Sequence, residues 1–295
     1  MSRPLKQKVN ALLDRRSFVN LLLIGAAGQM CLPKPGLAAS TIEKRKLTKV
    51  GAQLYTVRKE LERDFKGTLA RIAALGFREV EFAGYFNHSP EQIKNILAGN
   101  NLSAPSAHVQ TSVLRGSLEG TIEAARIIGH QYLICAYLPA EERRSLDDYR
   151  KLIDLLNRVG EQFKRAGIQF GYHNHDFEFA PMEGRIPYDL ILAGTDAQLV
   201  KMEMDLYWIT KAGYSPLAYF QKYPGRFPIV HIKDMDNTPG HFFTEVGRGI
   251  IDFRPILAAA KQAGIQHYFI EQDETPGSPF ESLKISLDYL KRLEF

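Results

Sequence analysis

The sequence predicts an α/β fold in which eight strand–helix units close into a (β/α)₈ barrel. Short apolar runs of strand composition alternate with longer stretches of helical periodicity, and eight such units in about 250 residues match the size of this barrel. The rival fold, an open doubly wound sheet, usually carries a glycine-rich phosphate loop after its first strand. Here the first strand leads into the segment QLYTVR at 53–58, which has no such loop.

Each predicted strand is followed by a predicted helix. The predicted strands are residues 50–55, 79–82, 104–109, 132–136, 169–172, 199–204, 228–232 and 268–270. The predicted helices are residues 67–75, 90–98, 117–128, 146–166, 188–192, 216–222, 253–263 and 280–292. Four glycines, Gly76, Gly129, Gly167 and Gly264, end helices shortly before the next strand, as glycines after a C-cap do.

Acidic and imidazole side chains close four successive strands in the second half of the chain. Parallel strands joined by helices place their carboxyl ends on one rim, so these side chains are expected to meet there. Carboxylates with an imidazole form a hard site suited to one Mn²⁺, Mg²⁺, Co²⁺ or Zn²⁺ ion. The candidates are His173, His175, Glu178, Asp205, His231 and Glu271.

Residues 1–39 have the organisation of an export signal. Arg15 and Arg16, followed by Ser17 and Phe18, resemble a twin-arginine motif, and 21–27 form an apolar stretch too short to span a bilayer. A small-residue zone ends at Ala39. We therefore predict a signal peptide at 1–39, a linker at 40–48 and the barrel at 49–295. The alternative is an uncleaved amphipathic or anchoring helix. The expected location is the periplasm, with the twin-arginine translocation machinery as a partner.

The charge of the chain is concentrated in this leader. Residues 1–39 hold six of the 38 basic and one of the 33 acidic residues, which leaves 32 of each in the rest. A neutral barrel has no basic surface of the kind that binds nucleic acid, so we expect no nucleic-acid partner. Removal of the leader would leave Cys135 as a single cysteine, which excludes a disulfide within the chain. The sequence does not determine the oligomeric state.

The segment from Lys49 to the C-terminus resembles the xylose-isomerase-like TIM-barrel family of sugar and sugar-phosphate isomerases and epimerases. The motifs are GAQLYTVR at 51–58, EVEF at 79–82, YHNHDFEF at 172–179, MDLYW at 204–208, HIKD at 231–234 and EVGRG at 245–249. The resemblance implies one divalent ion held at the ends of strands five to eight. It places Asp205, His231 and Glu271 at the last three ligand positions. At strand five, where family members carry a glutamate, we take Glu178 as the ligand, with His173 or His175 as the alternatives.

The same resemblance, read with the strand ends, predicts the remaining site residues. Glu178 and Glu271 are the expected acid–base pair. The expected substrate contacts are Glu81, His108, His173, His175 and Lys233.

These residues suit a sugar or keto-sugar substrate. A divalent ion bound to a carbonyl and an adjacent hydroxyl stabilises an enediolate, and positioned carboxylates can remove and return the proton. The expected function is therefore metal-dependent isomerisation or epimerisation. Two alternatives stay open, namely a lyase or hydrolase acting on 3-keto-glycosides with the same site, and a non-catalytic sugar- or metal-binding barrel.

The export prediction can be tested by replacing Arg15 and Arg16 with lysine together. We expect the precursor to stay in the cytoplasm, because ammonium groups cannot reproduce the two guanidinium forks. Intact-mass measurement of the exported wild-type protein should give a start near Ala39 or Ser40. A mature cytoplasmic protein beginning at Met1 would contradict the prediction.

Overall fold

Eight parallel strands form a closed barrel in the computed structural model, which describes residues 44–295. The order around the barrel is β1-β2-β3-β4-β5-β6-β7-β10, and a two-stranded antiparallel ribbon, β8-β9, follows β7 in the chain. The strands are β1 Gly51–Gln53, β2 Glu79–Phe82, β3 Ser103–Val109, β4 Tyr132–Cys135, β5 Gln169–His173, β6 Val200–Asp205, β7 Ile229–Ile232, β8 Asp234–Met235, β9 Phe243–Thr244 and β10 His267–Ile270. The predicted (β/α)₈ barrel is confirmed.

Helices separate the barrel strands. Within residues 44–295 they are α1 Arg58–Arg63, α2 Phe65–Leu75, α3 Pro90–Gly99, α4 Thr111–Leu114, α5 Glu119–Ile128, α6 Leu146–Arg165, α7 Pro187–Gly194, α8 Leu206–Lys211, α9 Pro216–Lys222, α10 Phe253–Ala258, α11 Ala260–Ala263 and α12 Pro279–Arg292. Short 3₁₀ turns occur at Leu54–Val57, Ala140–Glu142 and Phe177–Phe179. None of the helices in this part of the chain is both long and apolar enough to cross a membrane.

Local sequence signals explain where the helices begin and end. Ser89 and Gln92 form a capping box at the start of α3, and Pro90 occupies the first turn, where its missing N–H costs nothing. At the end of α5, Gly129 adopts φ 98° and its N–H donates to the carbonyl of Ala125. A side chain at this left-handed position would be strained, so the glycine ends the helix.

Two elements differ from the prediction. The first strand was expected over 50–55, but it ends at Gln53, whose side-chain oxygen accepts a hydrogen bond from the N–H of Tyr55 at 2.9 Å and turns the chain into a 3₁₀ helix. The helix expected over 253–263 is divided at Ala259 into α10 and α11. The other predicted strands and helices are present, with ends shifted by one or two residues.

Alternate strand residues face the inside of the barrel and fill its centre. Tyr132, Ile134, Ile229 and Phe269 form a small buried cluster separate from the main core, which lies between the strands and the helices. Gly51 makes room for this cluster, since a β-carbon there would lie 2.4 Å from the ring of Phe269. The barrel centre is therefore packed, and polar side chains above this layer line its carboxyl end.

The predicted signal peptide, residues 1–39, and residues 40–43 of the predicted linker lie outside the described residues. The export prediction therefore stays a prediction.

We expect Gly51→Ala to lower the free energy of unfolding by roughly 1–3 kcal/mol, because the added methyl group overpacks the barrel centre against Phe269. The midpoint of urea unfolding measures this. The matched control is Gly120→Ala in α5, where a β-carbon meets nothing within 4 Å and the change should alter stability by less than about 1 kcal/mol. Equal midpoints for the two variants would contradict the packing argument.

Candidate active site at the carboxyl end of the barrel

A cavity of about 370 Å³ opens at the carboxyl ends of the barrel strands. The residues that line it come from loops and strand ends that are far apart in the sequence. They are Tyr55, Ala83, His108, Gln110, Ala136, Tyr137, His173, His175, Lys233, Glu271 and Asp273. The strand-end residues predicted from the sequence therefore meet at one rim, as expected.

Four side chains from four neighbouring strands converge at the base of this cavity, and two of them, His173 and Glu271, line it. The four are His173 at the end of β5, Asp205 at the end of β6, His231 in β7 and Glu271 just after β10, and each offers one ligand atom within 4.8 Å of the others. All four are at most 5% exposed. We call this set the outer group.

The arrangement of donor atoms in the outer group fits a divalent ion. The ring of His173 has Nδ1 3.2 Å from the carbonyl of Ala136, which can only accept, so Nδ1 carries the proton and Nε2 presents a lone pair to Asp205 Oδ2 at 3.3 Å. His231 Nδ1 lies 2.8 Å from Glu271 Oε2, and Lys233 Nζ contacts the same oxygen at 2.7 Å. Two imidazole nitrogens and two carboxylate oxygens that converge within 4.8 Å of one another are a donor set that suits a divalent cation.

Asp205 also caps the helix that follows it. Its Oδ1 accepts hydrogen bonds from the N–H groups of Tyr207 and Trp208, at 3.0 and 2.9 Å, which fixes the carboxylate at the start of α8. Oδ2 stays directed at the outer group. Burial alone would raise the pKa of Asp205, but Lys233 and the two imidazoles of the outer group bring the pKa down to about 2. The helix cap and a ligand position are therefore compatible in one residue.

Lys233 supplies the compensating positive charge. Its Nζ lies 3.0 Å from Asp205 Oδ2, 2.7 Å from Glu271 Oε2 and 2.6 Å from Asp273 Oδ1. Burial works against the charged form, but these three carboxylates raise the pKa of Lys233 well above its ordinary value. The lysine is therefore an ammonium ion whose charge the protein itself neutralises.

A second polar cluster lies beneath the outer group and shares His231 with it. This inner group comprises Glu81, His108, Glu203 and His231. His231 Nε2 lies 2.7 Å from Glu81 Oε2 and 3.3 Å from Glu203 Oε1, and His108 Nε2 lies 2.6 Å from Glu203 Oε2. Burial and the neighbouring charge of Glu203 raise the pKa of Glu81. The inner group fixes the ring of His231 from below, as carboxylates commonly do for a metal-binding histidine.

The structure does not bring Glu178 to the outer group, although the sequence prediction placed it there as a ligand and as an acid–base residue. The 3₁₀ turn Phe177–Phe179 directs its carboxylate back toward β5, where it accepts hydrogen bonds from the hydroxyl of Tyr172 at 2.6 Å and from the N–H of His175 at 2.8 Å. Burial raises the pKa of Glu178 to about 7. His173, one of the two alternatives at strand five, occupies the ligand position instead.

His175 faces the cavity from the same loop. Its ring stacks on Phe177 with centroids 5.3 Å apart and meets Tyr137 edge-on at 5.0 Å, and its Nδ1 has no hydrogen-bond partner. Burial lowers the pKa of His175 well below the ordinary value. The residue is therefore a neutral imidazole on the wall of the cavity.

Of the five predicted substrate contacts, four line the cavity and one lies beneath it. His108, His173, His175 and Lys233 line the cavity, whereas Glu81 is fully buried beneath it and is bonded to Gln53, Ser106 and His231. Sequence reasoning did not assign a role to Glu203 or Asp273. Glu203 stands two positions before Asp205 within β6, and the period-two rule for strands places these two residues on the same face. Asp273 lies beyond the end of β10, where that rule gives no signal.

A loop beside the cavity is anchored by a single carboxylate. Asp234, which directly follows Lys233, accepts hydrogen bonds from the N–H groups of Met235, Gly247, Gly249 and Ile251 at 2.9 to 3.2 Å. A β-carbon on Gly249 would lie 2.2 Å from this carboxylate, so the loop approaches too closely for any other residue. The segment EVGRG is thereby held against the end of β7.

Fold and site together define a (β/α)₈ barrel with a candidate divalent-metal site at its carboxyl rim. The family described as "Xylose isomerase-like TIM barrel" matches residues 69–293, and the chain belongs to that family. The resemblance expected from the sequence motifs is thereby confirmed at the level of the family.

Individual relatives are sugar-modifying enzymes. An inosose dehydratase of Lacticaseibacillus casei is 24% identical, over 77% of this chain and 88% of its own length. A sugar phosphate isomerase/epimerase from Parabacteroides distasonis has a TM-score of 0.74 and 28% identity, over 83% of this chain and 98% of its own. A 3-keto-D-glucoside 4-epimerase from E. coli has a TM-score of 0.66 and 18% identity, over 83% and 99%, and this likeness concerns the fold.

We expect His173→Ala, Asp205→Ala and His231→Ala each to lower metal affinity by more than about 100-fold. Losing a residue that only hydrogen-bonds to a ligand costs ~10–100-fold in affinity, and losing the ligand itself costs more. The comparison variant is Glu178→Gln, which should keep its metal. Elemental analysis after dialysis measures the retained ion, and circular dichroism checks the fold.

The pair His173→Ala and Glu178→Gln decides the strand-five ligand. Metal loss in the glutamine variant together with retention in the alanine variant would show that Glu178 turns inward and binds. Retention in all four variants would rule out the outer group as a metal site.

Proposed function

We propose that this protein is a divalent-metal-dependent enzyme that isomerises or epimerises a sugar or keto-sugar by moving a proton at the carbon next to a carbonyl group. The observation that supports this most directly is the outer group, in which four donor atoms from four strands converge at a cavity of sugar-binding size that two of the four residues line.

His173, Asp205, His231 and Glu271 are the residues that would hold the ion. A bound divalent ion supplies a Lewis acid that stabilises negative charge on the oxygens of an enediolate. The chain itself fixes the position of that charge, because the inner group and Lys233 hold His231, Asp205 and Glu271 from two sides.

Proton transfer is assigned to Glu271 and His175. Glu271 lines the cavity with its Oε2 held 2.7 Å from the ammonium group of Lys233, and His175 lies on the cavity wall with Nδ1 free of hydrogen bonds. One group removes the proton from carbon and the other delivers a proton to carbon or oxygen. Glu178 acts through His175, because its carboxylate holds the backbone N–H of that residue.

The charges around the cavity favour an unphosphorylated substrate. Lys233 is the one ammonium or guanidinium group among the residues that line this cavity, and three carboxylates surround it within 3.0 Å. A phosphate dianion would meet Glu271 and Asp273, with no unpaired cationic side chain in the cavity lining to oppose them. A neutral sugar would find carboxylates and imidazoles that accept hydrogen bonds from its hydroxyl groups.

A second candidate function is elimination, and the dehydratase relatives favour it. The same step begins the reaction, with a proton removed from the carbon next to the carbonyl. The carbon–oxygen bond at the next carbon then breaks, the double bond forms between the two carbons, and the oxygen leaves with a proton from the enzyme. Water leaves in a dehydration and an alcohol leaves in glycoside cleavage, so a lyase on 3-keto-glycosides needs no further residues.

We also propose, from the sequence of residues 1–39, that the enzyme works in the periplasm after twin-arginine export. The absence of a free cation in the cavity supports this, because an exported enzyme meets unphosphorylated sugars.

The experiment that tests the proposed function is Glu271→Gln, assayed by solvent deuterium incorporation into free and 3-keto sugars in the presence of Mn²⁺. We expect exchange to fall by about 10²–10⁴-fold, because the amide keeps the size of the carboxylate but cannot accept the proton. Proton NMR of the recovered sugar reads the exchange, and product analysis separates epimerisation from elimination.

The matched control is Glu281→Gln in the exposed first turn of α12, which should exchange at the wild-type rate. Wild-type exchange by the Glu271 variant would remove its acid–base role. Absence of exchange by the wild-type protein with every sugar would contradict the proposed function and favour a binding protein.

A further inference from the structure

The exposed large apolar side chains of residues 44–295 all lie in segments that follow barrel strands. They are Tyr55, Val113, Tyr137, Phe242 and Ile250. Tyr55 lies in the 3₁₀ turn after β1, Val113 in α4 after β3, Tyr137 after β4, and the other two after β7. Segments in these positions belong to the carboxyl face of the barrel, so the apolar exposure of the described chain concentrates on the face where the cavity opens.

Two of these side chains line the cavity as well as its rim. Tyr55 is 41% exposed and Tyr137 is 37% exposed, and both contribute to the cavity wall together with His173 and Glu271. A ligand seated on the floor therefore has aromatic surface beside it toward the mouth. Val113, Phe242 and Ile250 do not line the cavity.

An arginine holds the ring of Tyr55 in place. The guanidinium carbon of Arg58 lies 4.1 Å from the ring centroid. The guanidinium is itself fixed, because it donates to the carbonyls of Tyr55 and Asp273 at 2.9 Å and to Glu274 Oε1 at 3.0 Å. The tyrosine thus stays exposed without being free to rotate.

Tyr137 is held in the same manner by different residues. Arg143 Nη2 donates to the tyrosine hydroxyl at 3.0 Å, and the guanidinium lies over the ring of Phe177 at 3.2 Å. The rings of His175 and Phe177 meet Tyr137 edge-on at 5.0 and 5.6 Å. Both tyrosines therefore present fixed aromatic faces, which bind a ring with little further loss of side-chain entropy.

We propose that Tyr55 and Tyr137 form a subsite for a second ring, joined through a glycosidic oxygen to the sugar on the cavity floor. The substrate class is then a glycoside rather than a free monosaccharide. The occupant is a ring with an apolar face, either a pyranose or an aryl group. Aromatic side chains bind such faces by stacking. Arg58, which lies against Tyr55, is already paired with Glu274 and does not require an anionic ligand. The identity of the floor sugar rests on the proposed function.

The experiment compares binding of three unoxidised glucosides to the metal-loaded protein by isothermal titration calorimetry. Methyl β-D-glucoside has no second ring, phenyl β-D-glucoside carries an aryl ring, and cellobiose carries a pyranose. We expect at least one of the two ring-bearing ligands to bind about tenfold more tightly than the methyl glucoside. The ligand that gains identifies the kind of ring.

Variants connect this preference to the two tyrosines. The double variant Tyr55→Ala with Tyr137→Ala should lose the preference, so that the three ligands bind it with affinities within about twofold of one another. The double Phe variant should retain the preference, since the rings remain. Phe242→Ala removes an exposed rim aromatic outside the cavity and should change nothing.

Equal affinities of the wild-type protein for the three ligands, or no binding of any of them, would overturn the proposal. A preference that survives in the double Ala variant, or that Phe242→Ala abolishes equally, would also overturn it. Because none of these ligands reacts, the outcome is independent of deuterium exchange. Loss of exchange with an intact ring preference contradicts the proposed function alone, and the reverse result contradicts the subsite alone.

Discussion

His231 is the residue on which the carboxyl end of this barrel depends, because its two ring nitrogens face two sets of buried carboxylates. Nε2 lies against Glu81 and Glu203 below, and Nδ1 lies against Glu271 above. Removing carboxylates from water costs several kcal/mol each unless opposite charge and hydrogen bonds compensate. Burial would raise the pKa values of Glu203 and Glu271, but nearby positive groups bring both well below the ordinary value. His231 and His108 do so for Glu203, and Lys233 and His231 for Glu271. The arrangement is costly for stability and is the kind that enzymes keep for function.

The packed barrel centre makes this concentration of charge possible. Tyr132, Ile134, Ile229 and Phe269 fill the space below the inner group and exclude water from that side. The polar groups are therefore reached from the mouth alone, past Tyr137, His175 and Lys233. A site that is open to water only at its mouth retains strong electrostatic interactions and still admits a small polar ligand.

Much of the site could be predicted from the sequence, because strand ends and rim positions coincide in a parallel barrel. Asp205, His231 and Glu271 follow from that rule alone. Glu178 did not follow it, since a 3₁₀ turn returns its carboxylate to Tyr172, and no spacing in the sequence distinguishes this turn from an extended loop. Glu203 lies within the predicted strand 199–204, and a charged residue inside an apolar strand does not by itself indicate a place in the site. The two rim tyrosines are held by Arg58 and Arg143. These arginines are in turn positioned by Asp273, Glu274 and Phe177, which are distant in sequence and leave no local pattern.

The anchoring of the loop by Asp234 divides the rim into a part that is fixed and a part whose length is free to vary. Four backbone N–H groups from both sides of the β8-β9 ribbon converge on that carboxylate. The tip between the two strands is organised separately, with Asp236 accepting from Thr238 and Phe242. Residues inserted at this tip would leave the positions of His231 and Lys233 unchanged, because Asp234 holds the base of the ribbon in place. The ribbon tip is accordingly the natural place to graft a longer hairpin if the protein is engineered to accept a bulkier ligand, because the polar groups below would keep their geometry.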